Sequence, residues 1–320
     1  MNQHLESLLH SYPIPTALLF LLGSLSVLSV CYRFSRFFFR KFIRPAKNLL
    51  RTYGQPGSWA IVTGASDGIG KAFCQSLAQR GFNICFIARN PEKLETARKE
   101  IQGKYPKILT EIVVADFSQS PKDPHEFYKG ISDELAKKNI TDIAILVNNA
   151  GYSEMDRYEK IGLKDISDMI SVNIYPVTFL SRFIVPKMLS RPKKSLVISL
   201  GSVTAVHPFP YLGVYGASKA YNDHFSKSLA EEYQGRIDFL SLRPNYVSSK
   251  MSKLKPGGIV ITPRACAEGC LRDAGWDAET AGNWKHEALE WVITKVVPNK
   301  ILVKQTDAVM RKIEERKKKN

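Results

Sequence analysis

The chain has 320 residues, enough for one large α/β domain with additions at its ends. Its formal net charge of +16 is uneven: +6 falls on residues 1–57, +4 on residues 311–320, and only +6 on the 253 residues between. That distribution does not describe a nucleic-acid footprint across a folded face, and five scattered cysteines (Cys31, Cys74, Cys85, Cys266, Cys270) do not describe a disulfide framework. Cys266 and Cys270 lie four apart, but no histidine or second pair is placed to complete a zinc site, so packing cysteines and no metal are expected.

Past a tail at residues 1–10, Ser11–Tyr32 holds no charged residue and includes the apolar run Ala17–Leu22. A membrane-spanning helix needs about 20 mostly apolar residues, so this segment is expected to be a transmembrane anchor. A cleaved signal peptide is the alternative, but it wants basic residues before the apolar run, and here they follow it. The positive-inside rule puts the side carrying Arg33 to Arg51 in the cytosol. Phe37, Phe38, Phe39 and Phe42, interleaved with Arg and Lys, read as an interfacial belt. Residues 33–57 are expected to be a basic linker, closing at Pro56-Gly57.

Trp59–Thr63 reads as a buried strand that runs into Gly64-Ala-Ser-Asp-Gly68-Ile-Gly70 and a helix over Lys71–Gln79. Strand, glycine turn and helix together make a phosphate-binding start, because glycine lets the backbone approach a pyrophosphate and a helix N-terminus favours negative charge. Asn83–Ala88 is the second strand. At its end stands Arg89 rather than the carboxylate that an NAD site places on the ribose hydroxyl, which favours a 2′-phosphate and hence NADP. A helix over Pro91–Gln102 and a strand over Glu111–Ala115 follow, ending at Asp116, which is placed for the adenine edge. A helix over Phe127–Lys138 leads to a strand over Asp142–Val147, closed by Asn148-Asn-Ala-Gly151. Asp165–Phe183 reads as one long helix with Asn173 inside it, a polar residue that needs a partner or a role. Leu196–Leu200 is the fifth strand, Ser218–Tyr233 a helix, and Asp238–Leu242 the sixth strand.

Alternating strands and helices imply a doubly wound parallel sheet, the Rossmann fold, here spanning residues 58–250. Lys250–Gly258 is expected to be a mobile substrate loop within residues 251–310, and Asn283–Val297 is amphipathic, resting on the membrane or covering the domain.

Tyr215 and Lys219 are four apart, so on a helix they share a face. A free tyrosine titrates near 10, and moving it to near 7 takes about 4 kcal/mol of differential interaction. A neighbouring ammonium is expected to supply much of it, with an oxidised nicotinamide adding the rest. Ser202, thirteen residues before Tyr215 at the end of the fifth strand, is placed to hydrogen-bond a substrate oxygen.

Thr63–Gly70, Asn148–Gly151, Asn173, Ser202, Tyr215 and Lys219 occur in the order and approximate spacing of the short-chain dehydrogenases/reductases, a resemblance that covers residues 58 to about 250. TGASDGIGK, the N-terminal membrane segment and the lysine-rich C-terminus resemble the branch of microsomal very-long-chain 3-oxoacyl-CoA reductases and 17β-hydroxysteroid (estradiol or testosterone) dehydrogenases. The resemblance implies Tyr215 as general acid, Lys219 as its modulator and ribose ligand, Ser202 orienting the carbonyl, and Asn173 in a water-borne proton relay. It implies that Gly64, Ser66, Asp67, Gly68, Ile69 and Gly70 surround the cofactor phosphates, with Arg89 by the 2′-phosphate. Asp116, Asn148 and Ala150 then belong to the adenosine side, and Val247 and Ser249 to the nicotinamide end. Two departures stand out: Pro244-Asn245 where the family has Pro-Gly, and Gly201-Ser202 where it has Ser-Ser.

The last four residues, Lys317–Asn320, resemble a dilysine signal for retrieval to the endoplasmic reticulum within a basic tail at 311–320. The expectation is an NADPH-dependent reductase of 3-oxoacyl-CoA in very-long-chain fatty acid elongation, anchored in that membrane and facing the cytosol. Elongation enzymes and a second copy are possible partners. The alternatives are a 17β-hydroxysteroid dehydrogenase and, in another class, a non-catalytic NADP-binding membrane scaffold or sensor.

Overall fold

The computed structural model describes residues 13–120 and 122–319, which fall into two units, Met1–Pro45 and Ala46–Asn320. The first unit is a helix, α1 (Pro13–Phe38), continued by a π-helical turn over Phe39–Ile43. Ala17–Ile43 is long and apolar enough to cross a membrane. Ahead of Arg33 its surface is apolar all round: the successive residues Leu18, Leu19, Phe20, Leu21 and Leu22 are all exposed. A helix of that kind wants a non-aqueous surrounding on every side. The helix runs past the Tyr32 boundary expected from the sequence and takes in Arg33 and Arg36, while Ser11 and Tyr12 lie outside the described residues. The phenylalanines of the expected belt contact one another, Phe38 and Phe42 at 5.1 Å between ring centroids and Phe37 and Phe42 at 6.5 Å.

The second unit begins earlier than expected. Residues 46–57 do not form a linker: they contain a short helix, α2 (Leu49–Tyr53), whose Leu49 and Tyr53 are buried in the core. The tyrosine hydroxyl bonds Asp238 Oδ2 at 2.7 Å, a partner 185 residues away that no local pattern reveals. Then follow β1 (Trp59–Thr63), α3 (Gly68–Gln79), β2 (Asn83–Ala88), α4 (Pro91–Lys104), β3 (Thr110–Val114), α5 (Pro124–Lys137) and β4 (Ile143–Asn148). Next come α6 (Leu163–Asn173), a π-helical segment over Pro176–Leu180, α7 (Ser181–Leu189) and β5 (Ser195–Leu200). After these lie α8 (Gly213–Glu232), β6 (Ile237–Leu242), α9 (Pro263–Asp273), β7 (Glu279–Thr280), α10 (Trp284–Lys295) and α11 (Asn299–Lys319). The two-residue β7 is too short to leave a pattern, and it was not expected. The side chains of residues 312–319, and Asn320 altogether, lie outside the described residues, so the dilysine expectation has no structural counterpart.

Helix starts are set by local chemistry. Asn90, Asp123 and Thr262 each accept a backbone N–H with a side-chain oxygen, from Lys93, Glu126 and Ala265, and each is followed by a proline at the first helical position. The side chain replaces a lost backbone acceptor, and proline gives up only a donor that would have been orphaned.

Among the described residues the strands form one seven-stranded parallel sheet in the order β3-β2-β1-β4-β5-β6-β7. β1, β2 and β4 are buried along their whole length, as parallel strands covered on both faces must be. One apolar core, containing Phe73, Leu77 and Leu271, lies against one face; the other, containing Tyr128, Leu135 and Ile184, lies against the opposite face. The strand order reverses between β1 and β4, and there the carboxyl ends of neighbouring strands diverge to leave a crevice.

Candidate active site

The crevice is floored by the turn that joins β1 to α3. Gly64 and Gly68 have φ of +63° and +55°, a left-handed conformation in which a side chain is strained. Gly70 is needed for a different reason: a Cβ there would stand 2.3 Å from the Gly64 carbonyl and 2.5 Å from Asn149 Nδ2. The turn is stitched to the end of β4. Thr63 Oγ1 accepts the N–H groups of Asn149 (2.9 Å) and Ala150 (3.0 Å), and Asn149 Nδ2 donates to the Thr63 carbonyl at 2.9 Å. Asp67 caps α3 by accepting the Gly68 N–H at 2.8 Å and pairs with Lys250 across the crevice at 2.8 Å. Although desolvation works the other way, the bonds from Lys250 and from the Gly68 N–H hold its carboxyl below the ordinary range.

Above this floor is a cavity of about 580 Å³. Of the residues singled out in the sequence, Gly64, Asp67, Gly68, Ile69, Ala150, Ser202, Tyr215, Lys219, Val247 and Ser249 are on its wall. Ser66, Gly70, Arg89, Asp116, Asn148 and Asn173 are not. Gly70 and Asn173 act through their neighbours, Gly70 by letting α3 close on the turn. Arg89 is exposed immediately after β2, at the rim where that strand ends. Asp116 is occupied locally, accepting the backbone and hydroxyl of Ser118 at 3.1 and 2.9 Å.

The Asn148 amide donates to Ser181 Oγ at 3.0 Å, and it is the next residue, Asn149, that lines the cavity. Successive side chains at the end of a strand point to opposite faces, so a one-residue choice within Asn148-Asn149 decides which of them meets a ligand. Gly151 and Asn245 are also on the wall. Among the described residues positive φ outside glycine occurs at Asn139, Tyr211 and Lys253, so Asn245 keeps an ordinary backbone where the family has glycine.

The chemistry gathers at the opposite wall. α8 starts at Gly213, which puts Tyr215 and Lys219 on one face of its first two turns, with Lys219 Nζ 5.7 Å from the Tyr215 ring centroid. Lys219 is 2% exposed, and its ammonium donates to the Leu200 carbonyl at 2.9 Å. Burial pushes its pKa down to about 8. The phenol of Tyr215 does not sit below its usual value. Burial pushes it up, and a hydrogen bond with Ser202 pulls the other way. Burial is the larger of the two influences on the phenol, and it disfavours the charged form of the ammonium beside it as well.

Asn173 closes α6, where the continuous helical stretch Leu163–Leu189 passes through a π-helical segment into α7. The α-helix stops there and a π-helical segment follows, which leaves the Asn173 carbonyl for Asn222 Nδ2 at 3.0 Å. Its side chain accepts the Tyr152 N–H at 2.8 Å and donates to the Tyr152 carbonyl at 3.0 Å and to Ser218 Oγ at 2.9 Å. Ser218 in turn donates to the Tyr215 carbonyl at 2.7 Å. Asn173 is thus the hub that fixes where α8 presents its tyrosine and lysine. A phenol, a hydroxyl and a buried amine converge on one wall, and a glycine turn at a helix N-terminus forms the other.

Residues 58–257 match the family described as short chain dehydrogenase. The chain is 36% identical to very-long-chain 3-oxoacyl-CoA reductase-B of Danio rerio over 263 residues, 80% of this chain and 81% of that one. It is 34% identical over 283 residues to a human protein named inactive hydroxysteroid dehydrogenase-like protein 1, covering 86% of this chain and 82% of that one. A solved structure described for 7β-hydroxysteroid dehydrogenase stereoselectivity superposes with a TM-score of 0.68 at 23% identity, covering 82% of this chain and 100% of that one. Sheet order, glycine turn and converging side chains agree with the sequence match, and the chain belongs to the short-chain dehydrogenase family.

Proposed function

We propose that this protein is a membrane-anchored, NADPH-dependent reductase that converts a 3-oxoacyl-CoA to the 3-hydroxyacyl-CoA in very-long-chain fatty acid elongation. The observation that carries the reading is the convergence of Ser202, Tyr215 and Lys219 on one wall of a cavity whose floor is the glycine turn.

The residues present fit a dinucleotide. A Cβ at Gly68 would meet only Ser249 Cβ, at 3.7 Å, so the turn is open there; α3 begins at that glycine, and the buried Asn245 Nδ2 has no hydrogen-bond partner among the described residues. Arg89, exposed where an NAD site would have a carboxylate, supports the 2′-phosphate. NADPH, when bound, supplies the hydride. Ser202 then orients the carbonyl oxygen, and the Tyr215 hydroxyl gives it a proton. Lys219, buried against the Leu200 carbonyl, contributes positive charge that favours the phenolate left behind. Asn173 holds α8 in place.

The remaining wall includes Met155, Phe209, Leu212, Met251, Leu254 and Ile293, an apolar surface that suits an acyl chain. Lys250, Lys253 and Lys255 on the adjacent loop suit the phosphates of coenzyme A. Residence in the endoplasmic reticulum with the catalytic unit in the cytosol, a homodimer and contact with other elongation enzymes complete the proposal. α1 and the basic residues that follow it support the orientation.

A human relative named as inactive gives weight to a non-catalytic reading. The intact, convergent set of Ser202, Tyr215 and Lys219 opposes it. Membrane-reconstituted protein should oxidise NADPH when given a long-chain 3-oxoacyl-CoA. Turnover of oestrone or androstenedione instead would move the substrate to steroids, and no turnover with any of the three would favour the scaffold.

A further inference from the structure

We infer that His286 is a positioning residue that sets both ends of the cleft, tying the loop at the nicotinamide end to the base of the strap that borders the substrate. This rests on the reading of the cavity as an NADP(H) site. His286 lies on α10, is 1% exposed and is not on the cavity wall. Its Nδ1 accepts the backbone N–H of Asn245 at 3.1 Å, and its Nε2 donates to the Ile259 carbonyl at 3.1 Å. An amide N–H can only donate and a carbonyl can only accept, so the ring must be neutral with its proton on Nε2.

The two groups it joins belong to different walls. Asn245 sits in the loop Pro244–Val247, which follows β6 and lines the cavity. Ile259 closes a strap, residues 248–260, whose Ser249–Ser252 and Leu254 also line it. The base of the strap is closed by two backbone bonds, Ser248 N–H to the Ile261 carbonyl (2.9 Å) and Ile261 N–H to the Tyr246 carbonyl (3.1 Å). His286 adds a third tie from beneath, and its neighbour Lys285 adds a fourth, donating from Nζ to the Gly258 carbonyl at 2.9 Å. α10 is itself held to the sheet: Arg243, 7% exposed at the end of β6, reaches Glu290 at 2.8 Å and Glu279 at 2.7 Å. The imidazole therefore links a helix that is held to the sheet with both of these loops.

The two ring nitrogens can be tested separately in the full-length protein. His286→Gln keeps a nitrogen donor near the Nε2 position and loses the acceptor for Asn245. Its NADPH Kd, read from cofactor fluorescence, should rise roughly 3- to 10-fold, the worth of one buried hydrogen bond, with substrate KM little changed. His286→Asn keeps an acceptor near Nδ1 and loses Ile259. Its substrate KM should rise by a similar factor while NADPH Kd stays within about twofold. Lys285→Met, at a solvent-accessible position, should raise KM alone. A fall in melting temperature with equal losses in Kd and KM for both histidine variants would make His286 merely structural, and unchanged values in both would remove it from the site. Should neither variant fold, Lys285→Met decides: a raised KM supports the strap's role and an unchanged one overturns it. Wild-type protein that does not bind NADPH sinks the cofactor reading instead, so the two failures are distinguishable.

Discussion

Lys219 is a buried charge whose pKa is lowered by desolvation alone, and replacing it with a neutral side chain of similar length should stabilise the cofactor-free protein while destroying its activity. The amine is 2% exposed, donates to one carbonyl and has no carboxylate to offset its burial. Its pKa falls from 10.5 to about 8. That displacement corresponds to roughly 3 kcal/mol of penalty on the charged form, at 1.36 kcal/mol per unit. Lys219→Met forfeits the bond to the Leu200 carbonyl, which returns about 1 kcal/mol. The carbonyl is not orphaned, because Asn222 Nδ2 also reaches it at 3.3 Å. The net gain is about 2 kcal/mol at pH 7, which for a unit of this size raises Tm by roughly 4–8 °C. The folded protein binds this proton more weakly than the unfolded chain does. Wild-type stability should therefore rise as pH climbs from about 8 towards 10.5, and the advantage of Lys219→Met should shrink across that window. Thermal unfolding of detergent-solubilised, cofactor-free protein at pH 7, 8.5 and 10 reads this directly. A variant less stable than wild type at pH 7, or an advantage that persists undiminished at pH 10, would show that the burial of this amine is compensated by something other than bound cofactor.

Tyr215→Phe should lower turnover by at least about a thousandfold, since proton donation is lost, yet leave NADPH affinity within about twofold; a near wild-type rate would remove the phenol from the mechanism. Arg89→Asp should weaken NADPH relative to NADH, as read by paired Kd values, and an unchanged ratio would take Arg89 out of the cofactor site. Gly70→Ala forces a Cβ to 2.3 Å from the Gly64 carbonyl and should cost roughly 1–3 kcal/mol or more, with loss of NADPH binding; normal Tm and Kd would contradict the role given to this contact. Glycosylation acceptors placed at either end should be modified only at the N-terminus, and modification at the C-terminus would reverse the topology.

What was legible in the sequence was local. β1, β2 and β4 announce themselves because both faces are covered and every position is apolar except at the ends, where Thr63, Asn83 and Asn148 stand. The four-residue spacing of Tyr215 and Lys219 identifies a shared helix face through the helical repeat. What was not legible depends on distant partners. Nothing near Leu49 or Tyr53 says that α2 packs into the core, because the hydroxyl partner is Asp238. The π-helical interruption after Asn173 accompanies bonds to Tyr152, Ser218 and Asn222, partners that no local pattern shows. Choosing between Asn148 and Asn149 needs the strand's last pleat, and His286 is an unremarkable residue on an amphipathic helix until Asn245 and Ile259 come to meet it. The spacing of Tyr215 and Lys219 shows their proximity, and not that both groups are buried.

The strap at residues 248–260 leaves and re-enters the body at nearly one point, between Val247 and Ile261. A segment whose two ends are already joined can change length or composition with little entropic penalty to the rest, each doubling costing only about 0.6 kcal/mol. Exchanging its tip between relatives should thus transplant chain-length or ring-shape preference as a module, with the hydride-transfer machinery beneath left as it was.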